Sequence, residues 1–464
     1  MPRPNILLIH ADQHRADCIG ANGHPFIQTP TLDRLIAEGA NFPNAFTPIP
    51  LCTPARTSLL TGQWPMQHGV ITNPDTEAGC VLTPSTPTFS QLLRAAGYFL
   101  GYIGKWGVDP QRPPTHFGFH LYVSERDYGK QRHQLGLPPK PNTNRWFGEV
   151  DPHIAPEQSQ LAWGADMTIQ LLRHAAQQDG PFFLRWDPSE PHLPNVVPEP
   201  YASLYPPETI PPWPNFADAL RNKPFIQRQQ RRTWGIDDWT WQAWAPIVSR
   251  YLGEISLLDH QLGRVLTTLD ELGLAQNTVV IYTADHGDLC GAHGMIDKHY
   301  VMYDELVRVP FIVRWPGQIP AGQTNDMFVS SAIDLAATFC ALAGLEPPST
   351  FAGQSILPLI LSQDVNATRH PLPATRADIF TTYHGNQFGL YSQRMVRDHR
   401  WKYVWNATAE DELYDLLHDP GELINLAADS GYAVEGARLR QRLLDWMEKT
   451  GDRLLNPWIR QQLS

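Results

Sequence analysis

The chain carries little charge, with only 18% of its 464 residues being Asp, Glu, Lys or Arg. No apolar run reaches the roughly 18 residues that a membrane-spanning helix needs, so that class is excluded on pattern. The charge that is present leans acidic, at a formal net of -11. An acidic balance leaves no basic face for broad binding to nucleic acid or to a membrane surface. Any anionic ligand must instead be met by individually placed cations. Cysteine is scarce: Cys18, Cys52, Cys80, Cys290 and Cys340 include no CxxC pair, and their odd count fits reduced thiols. The apolar stretch before Asp12 is too short for the core of a signal peptide. The protein therefore reads as cytoplasmic, and the Asn-Ala-Thr sequons at Asn366 and Asn406 read as chance matches. There is no tandem repeat or low-complexity tract.

What is present is a globular composition, 42% hydrophobic, with 43 prolines that imply many loops between short elements. The length predicts one large domain and a smaller one. Asn5 to His10 reads as a buried strand that ends in Ala11-Asp12-Gln13-His14, and Val279 to Thr283 repeats the pattern before Ala284-Asp285-His286-Gly287. Open α/β sheets build sites from residues just past such strand ends, which predicts that Asp12 and Asp285 are neighbours. Helices are predicted at Thr31 to Gly39, Thr88 to Ala96, Gln158 to Gln177 and Pro246 to Leu272. They alternate with strands near Tyr98 to Ile103 and Phe182 to Trp186, as in a layered α/β domain. The stretch from 346 to 378 loses periodicity and reads as a connection between a domain at 1–345 and one at 379–464. In the latter, Gly389 to Trp405 is strand-like with a break at Arg397-Asp398-His399-Arg400. Val434 to Met447 has helical spacing, so a small α+β domain is expected.

The most informative segment runs from Pro50 to Gly62. Thr53 reads as a helix cap, Pro54 as the first helical position and Gly62 as the stop. Cys52 then sits at a helix N-terminus, where free N–H groups and the dipole favour negative charge, with Arg56 one turn away. A lone cysteine so placed is ordinarily a packed thiol. Read as a unit, however, Cys52-Thr53-Pro54-Ala55-Arg56 followed by Thr61-Gly62 resembles the C-x-P-x-R signature of the sulfatase family, within the alkaline phosphatase superfamily. The resemblance implies a large α/β domain with a central mixed, mostly parallel sheet between helices, plus a smaller C-terminal α+β domain. It also implies that Cys52 is oxidised to formylglycine by a formylglycine-generating enzyme. In its hydrated form one hydroxyl attacks sulfur and the other later expels sulfate.

Further segments carry the resemblance nearly end to end. Asp12 with Gln13, and Asp285 with His286, look like the family's metal-binding pairs, with Cys52 beside them. Oxygen-rich ligands with one imidazole suit Ca²⁺, with Mn²⁺ or Mg²⁺ as alternatives. Many relatives have two adjacent aspartates where this chain has Asp12-Gln13, which lowers the negative charge here. Gly104-Lys105-Trp106-Gly107 resembles a Gly-Lys-Trp-His element whose lysine contacts the sulfate group. Gly107 stands where the family commonly has a histidine that opens the covalent intermediate, leaving His116, His299 or a water to replace it. His192, in Pro191-His192-Leu193-Pro194, matches a histidine that binds the ester oxygen and protonates the leaving group. Lys298 matches a second sulfate-binding lysine, and Asn73 aligns with a polar pocket residue of some relatives. Gln393 to Lys402 and Glu412-Leu413-Tyr414-Asp415-Leu416 resemble the family's closing sheet.

The resemblance thus implies hydrolysis of a small-molecule or carbohydrate sulfate ester, with Cys52, Arg56, Lys105, His192 and Lys298 as the catalytic set. Lys105, His192, Lys298 and Asn73 would bind substrate. A homo-oligomer is left open, and no nucleic-acid or membrane partner is expected. Because relatives that cleave phosphonate monoesters and phosphodiesters also lack the histidine missing at Gly107, they are the nearest rival, although they usually lack the lysine too. A catalytically silent anion-binding homologue is the rival from another class. Trp213, Trp234, Trp239, Trp241 and Trp244 read either as an aromatic wall at a substrate entrance or as packing for an inserted segment. Tyr383-His384-Gly385-Asn386-Gln387, near the domain junction, reads as a segment that reaches the substrate or as linker.

Overall fold

Every residue of strand β1 (Asn5–Ala11) is buried. Side chains alternate between the two faces of a strand, so a fully buried strand requires cover on both sides of its sheet. The computed structural model, which describes residues 3–74, 81–361, 376–385 and 389–464, supplies that cover. Cys80, the Asn366 sequon, residues 362–375 of the 346–378 connection, and Asn386 with Gln387 lie outside the described residues.

The central sheet adds β2 (Ala40–Asn41), β3 (Phe99–Gly104), β4 (Leu121–Ser124), β5 (Phe182–Asp187), β6 (Thr278–Ala284), β7 (Phe311–Arg314) and β8 (Gln323–Thr324). Their spatial order is β8-β2-β7-β6-β1-β5-β3-β4. β1 runs parallel to both β5 and β6, while β7 is antiparallel to β6 and β2. The helices are α1 (Pro30–Glu38), α2 (Cys52–Thr61), α3 (Phe89–Ala95), α4 (Gln160–Ala175), α5 (Trp241–Glu271) and α6 (Ser331–Leu342). α1 and α4 pack on α5, and α2 and α3 pack on α6, which gives the two layers that the sheet needs. Among the described residues no helix is long and apolar enough to cross a membrane.

The C-terminal sheet is antiparallel, with β9 (Ile379–Gly385), β10 (Tyr391–Arg397), β11 (Trp401–Asn406) and β12 (Glu412–Asp415) in that order. α7 (Ala433–Thr450) packs on β10 and β11. The sheet is bound closely to the larger one. Thr382 donates its amide to Pro48 O at 2.8 Å, and Phe46, Leu51, Tyr300, Tyr383, Met395 and Val404 share one apolar cluster. From β11, the buried Lys402 ammonium donates to Met302 O (3.0 Å), Asp304 (2.6 Å) and Glu422 (2.7 Å).

Two expectations need adjustment, and a third reading is narrowed. α2 begins at Cys52 with Leu51 as its cap, so Thr53 and Pro54 are the second and third helical residues. Pro54 is still tolerated there, because the first turn's N–H groups have no partner within the helix. α5 starts at Trp241 and carries Pro246 within it. That proline removes the helical donor for the carbonyl of Gln242, an exposed residue of the first turn. The tryptophans pack the inserted segment: Trp244 is buried beside Ile247, Val248 and Tyr251, and the other four pack against that cluster.

Candidate active site

The register between β1 and β6 pairs Ala11 with Ala284, so Asp12 and Asp285 leave the sheet side by side. Each carboxylate is divided between two tasks. Asp12 Oδ2 takes Arg56 at 3.0 Å and Lys105 at 2.5 Å, while its Oδ1 lies 3.6 Å from Cys52 Sγ. Asp285 Oδ2 accepts from Arg56 Nε at 3.1 Å, and its Oδ1 accepts from the amides of Gln13 (3.1 Å) and His286 (2.9 Å). Burial would raise the Asp12 carboxyl, but Lys105, His192 and Arg56 hold it well below the usual carboxylate range. Burial pushes the His286 imidazole down, towards its neutral form. Its Nδ1 donates to Gly287 O at 2.9 Å, which leaves the Nε2 lone pair facing Cys52 Sγ at 3.3 Å.

Cys52 is the first residue of α2, a helix buried at all ten positions. A helix without a wet face must satisfy its polar side chains internally. Thr57 and Thr61 therefore donate back to the carbonyls of Thr53 and Thr57, and Ser58 meets His68 Nε2 at 3.0 Å. The free N–H of Thr53 is taken by Asn73 Oδ1 at 3.1 Å, so Asn73 braces the start of α2 next to Cys52.

Two further cations close the site. Lys105, just past β3, puts its ammonium 3.7 Å from Cys52 Sγ. Lys298 Nζ meets His192 Nε2 at 2.7 Å, Gln13 Oε1 at 2.9 Å and Asp297 at 3.1 Å. His192 Nδ1 donates to Leu193 O, so its Nε2 is the acceptor of the lysine proton. Gln13, at a left-handed φ of 67°, turns its amide nitrogen to Asp288 (2.5 Å) and Asp297 (3.1 Å). Of the replacements considered for the histidine missing at Gly107, His116 is exposed at the surface. His299 is occupied by Asp297 at 3.2 Å and by the Tyr383 hydroxyl at 3.1 Å. Tyr383 thus reaches the lysine loop from β9, while His384 bonds Ser392.

Asp12, Cys52, Asp285 and His286 each present one donor atom within 4.8 Å of the others. Two ionised carboxylates and a neutral imidazole whose lone pair faces into the group fit a divalent cation. A family model described as Sulfatase matches residues 4–345, about three quarters of the chain.

The chain belongs to the sulfatase family.

A second family model, described as N-sulphoglucosamine sulphohydrolase, C-terminal, matches residues 291–449. This sulfatase is 30% identical to an arylsulfatase of Clostridium perfringens, over 96% of this chain and 95% of that protein. It is 30% identical to a multifunctional alkaline phosphatase superfamily protein of Trinickia caryophylli, over 98% and 97%. Among solved structures, the phosphonate monoester hydrolase of Agrobacterium radiobacter superposes with a TM-score of 0.81 at 27% identity, covering 97% of this chain and 96% of that one. Membership of the family makes the protein an enzyme, a sulfuric ester hydrolase by class.

Sequence reasoning missed one residue of this sulfatase site. Asp187, the last residue of β5, is fully buried and pairs with both Arg56 and Arg185. Burial would raise its carboxyl, yet Arg185, His10 and Arg56 hold it well below the usual range. The available signal was Arg185 itself: a charge inside the buried run Phe182 to Trp186 demands a counter-charge close by.

Proposed function

We propose that this sulfatase hydrolyses a sulfate ester to an alcohol and inorganic sulfate, with Cys52, converted to formylglycine, as the nucleophilic residue. The observation that carries the reading is the place of Cys52 Sγ, at a helix N-terminus and in contact with Asp12, His286 and Lys105 together. A formylglycine at position 52 would supply, as its hydrate, one hydroxyl to attack sulfur and a second to release the sulfate. A divalent cation held by Asp12, Asp285, His286 and residue 52 would supply Lewis acidity there, with Ca²⁺ best suited to the oxygen-rich set and Mn²⁺ or Mg²⁺ next. Gln13 would add a neutral amide oxygen, which also accepts from Lys298.

The remaining roles belong to the chain's own side chains. Arg56, fully buried between three carboxylates, fixes the two metal-site aspartates. Burial would lower the Lys105 and Lys298 ammonium groups, but Asp12 and Asp297 respectively, with Cys52, hold both above the usual lysine range. Both therefore stay charged to face the sulfate oxygens. Lys298 Nζ donates to His192 Nε2 at 2.7 Å, and that pair protonates the departing alcohol. Asn73 braces Thr53 and borders the substrate. The substrate class proposed is a small-molecule or carbohydrate sulfate ester, since curated relatives include an N-acetylglucosamine-6-O-sulfatase of Bacteroides thetaiotaomicron. Free, buried thiols at Cys18, Cys52, Cys290 and Cys340 support a reducing, cytoplasmic setting in which a formylglycine-generating enzyme acts on the chain.

One observation favours a second reading, a phosphonate monoester or phosphodiester hydrolase with the same nucleophile. Gly107 has a φ of +59°, and a Cβ there would lie 3.0 Å from Arg56 Cδ, so the backbone is shaped for glycine and not for the family histidine. Two measurements test the proposal. The first is the mass of the tryptic peptide Leu35 to Arg56, with aldehyde trapping; an unmodified thiol in active protein would overturn the nucleophile. The second compares rates on matched sulfate and phosphonate esters, where a phosphonate preference would move the second reading to the front. Divalent-metal binding without any turnover would leave a silent anion-binding homologue.

A further inference from the structure

We propose that Asp187 is a positioning residue for the reaction, holding Arg56 with its carboxylate and Lys105 with its carbonyl. The inference rests on the reading of Cys52, Arg56 and Lys105 given above. β5 lies between β1 and β3, so its last residue reaches both neighbours. The carbonyl of Asp187 accepts from Lys105 N at 2.8 Å. That approach needs glycine at 104, where φ is +103° and a Cβ would lie 2.0 Å from the same carbonyl oxygen. The other side of Lys105 is tied to the same group. Its carbonyl accepts from Arg56 at 3.1 Å, and the Tyr102 hydroxyl sits 2.7 Å from it and 2.8 Å from Asp187 Oδ2.

The carboxylate settles a charge problem. Arg56 and Arg185 are both fully buried, and among the described residues Asp187 is the one carboxylate paired with both. Arg185 donates to it twice, at 2.6 Å from Nε and 2.6 Å from its terminal nitrogen. His10 brings no carboxylate to the pocket: its Nδ1 lies 3.2 Å from Asp187 Oδ2 and 3.2 Å from a terminal nitrogen of Arg185. Without Asp187 two guanidinium groups would face each other in a low-dielectric pocket, and Arg56 would shift towards Asp12 and Asp285. Lys105 would shift with it, because Arg56 is bonded to the Lys105 carbonyl. A displacement of about 1 Å in a catalytic cation costs on the order of 100-fold in rate.

The test is Asp187→Asn, an isostere that keeps the backbone bond to Lys105, assayed with nitrophenyl sulfate well below its unfolding midpoint. The expected result is a kcat lower by about 100-fold with KM within about threefold. Asp151→Asn, which breaks the buried Arg132–Asp151 pair outside the site, serves as control and should lower the midpoint while leaving kcat unchanged. A folded Asp187→Asn enzyme with wild-type kcat would overturn the proposal and leave Asp187 a structural residue. If that variant fails to fold, Tyr102→Phe removes one hydroxyl from the same group and should lower kcat severalfold. An unchanged kcat there would sink the proposal equally. Cys52→Ala keeps the two questions apart: residual turnover in it would reject the nucleophile assignment, whatever Asp187 does.

Discussion

The amide oxygen of Gln13 accepts a 2.9 Å hydrogen bond from the ammonium of Lys298, a residue 285 positions later in the chain. The neutral side chain ties the edge of the metal group to the lysine loop without adding charge. Gln13→Asp should therefore do two things at once. An added carboxylate should tighten a divalent cation by about tenfold, and it should crowd Asp288 and Asp297 and so lower turnover. Calorimetric titration with Ca²⁺ beside steady-state rates measures both, and unchanged affinity would count against a cation next to residue 13.

Gly107→His tests whether the family histidine has room. A side chain at a φ of +59° with its Cβ 3.0 Å from Arg56 Cδ is strained and displaces the arginine. The variant should lose about 1–3 kcal/mol of stability, seen in denaturant unfolding, and kcat should fall. A faster enzyme would show that the position accepts the histidine.

Lys105 separates the two substrate readings, since its ammonium sits 3.7 Å from Cys52 Sγ. Lys105→Ala should cut the sulfate ester rate by roughly 100-fold and cut the phosphonate rate less. Equal losses on matched esters would mean that the lysine does not set the preference.

Stability should carry a pH signature from Glu254. Burial, with Glu190 nearby, pushes its carboxyl up to about 8 in the fold, from an ordinary 4.5. The sign follows from proton counting: between those two values the folded chain holds a proton that the unfolded chain has released. That contribution is fully present below about 4.5 and is lost as pH rises through about 8. Glu254→Gln keeps an oxygen for the 2.7 Å bond from Asn195 and removes the ionisation. The difference in midpoint between variant and wild type should therefore grow in the variant's favour from pH 5 to pH 8, and a flat difference would contradict the burial argument.

The strand ends and the cysteine segment were legible from sequence because each combines a local pattern with a chemical demand. Ile6 to Ile9 and Val279 to Ile281 are continuous apolar runs, and the aspartates that follow them emerge past the carboxyl ends of the two strands. Asp187 was not legible as a site residue. The predicted strand ended at Trp186, one residue short, and nothing in Asp187-Pro188-Ser189 distinguishes a turn aspartate from one that faces two arginines. The start of α5 was misplaced for a related reason. Pro246 looks like a helix opening, yet packing of Trp244 against Ile247, Val248 and Tyr251 extends the helix five residues ahead of it. Arg56, the partner that gives Asp187 its place in the site, lies 131 positions earlier in the chain.

Lys402 bears on how this protein can be taken apart. It reaches out of the small sheet to Met302 and Asp304, a few residues past Lys298. A chimera that grafts another relative's C-terminal sheet onto residues 1–345 would have to import a matching cation at this point. Without it, Arg397, itself a residue of the same graft, would be the one ion-pair partner left to the Asp304 carboxylate among the described residues. The seam between the two units is therefore a poor place to cut, and shuffling experiments should cross over inside the large sheet, upstream of the lysine loop.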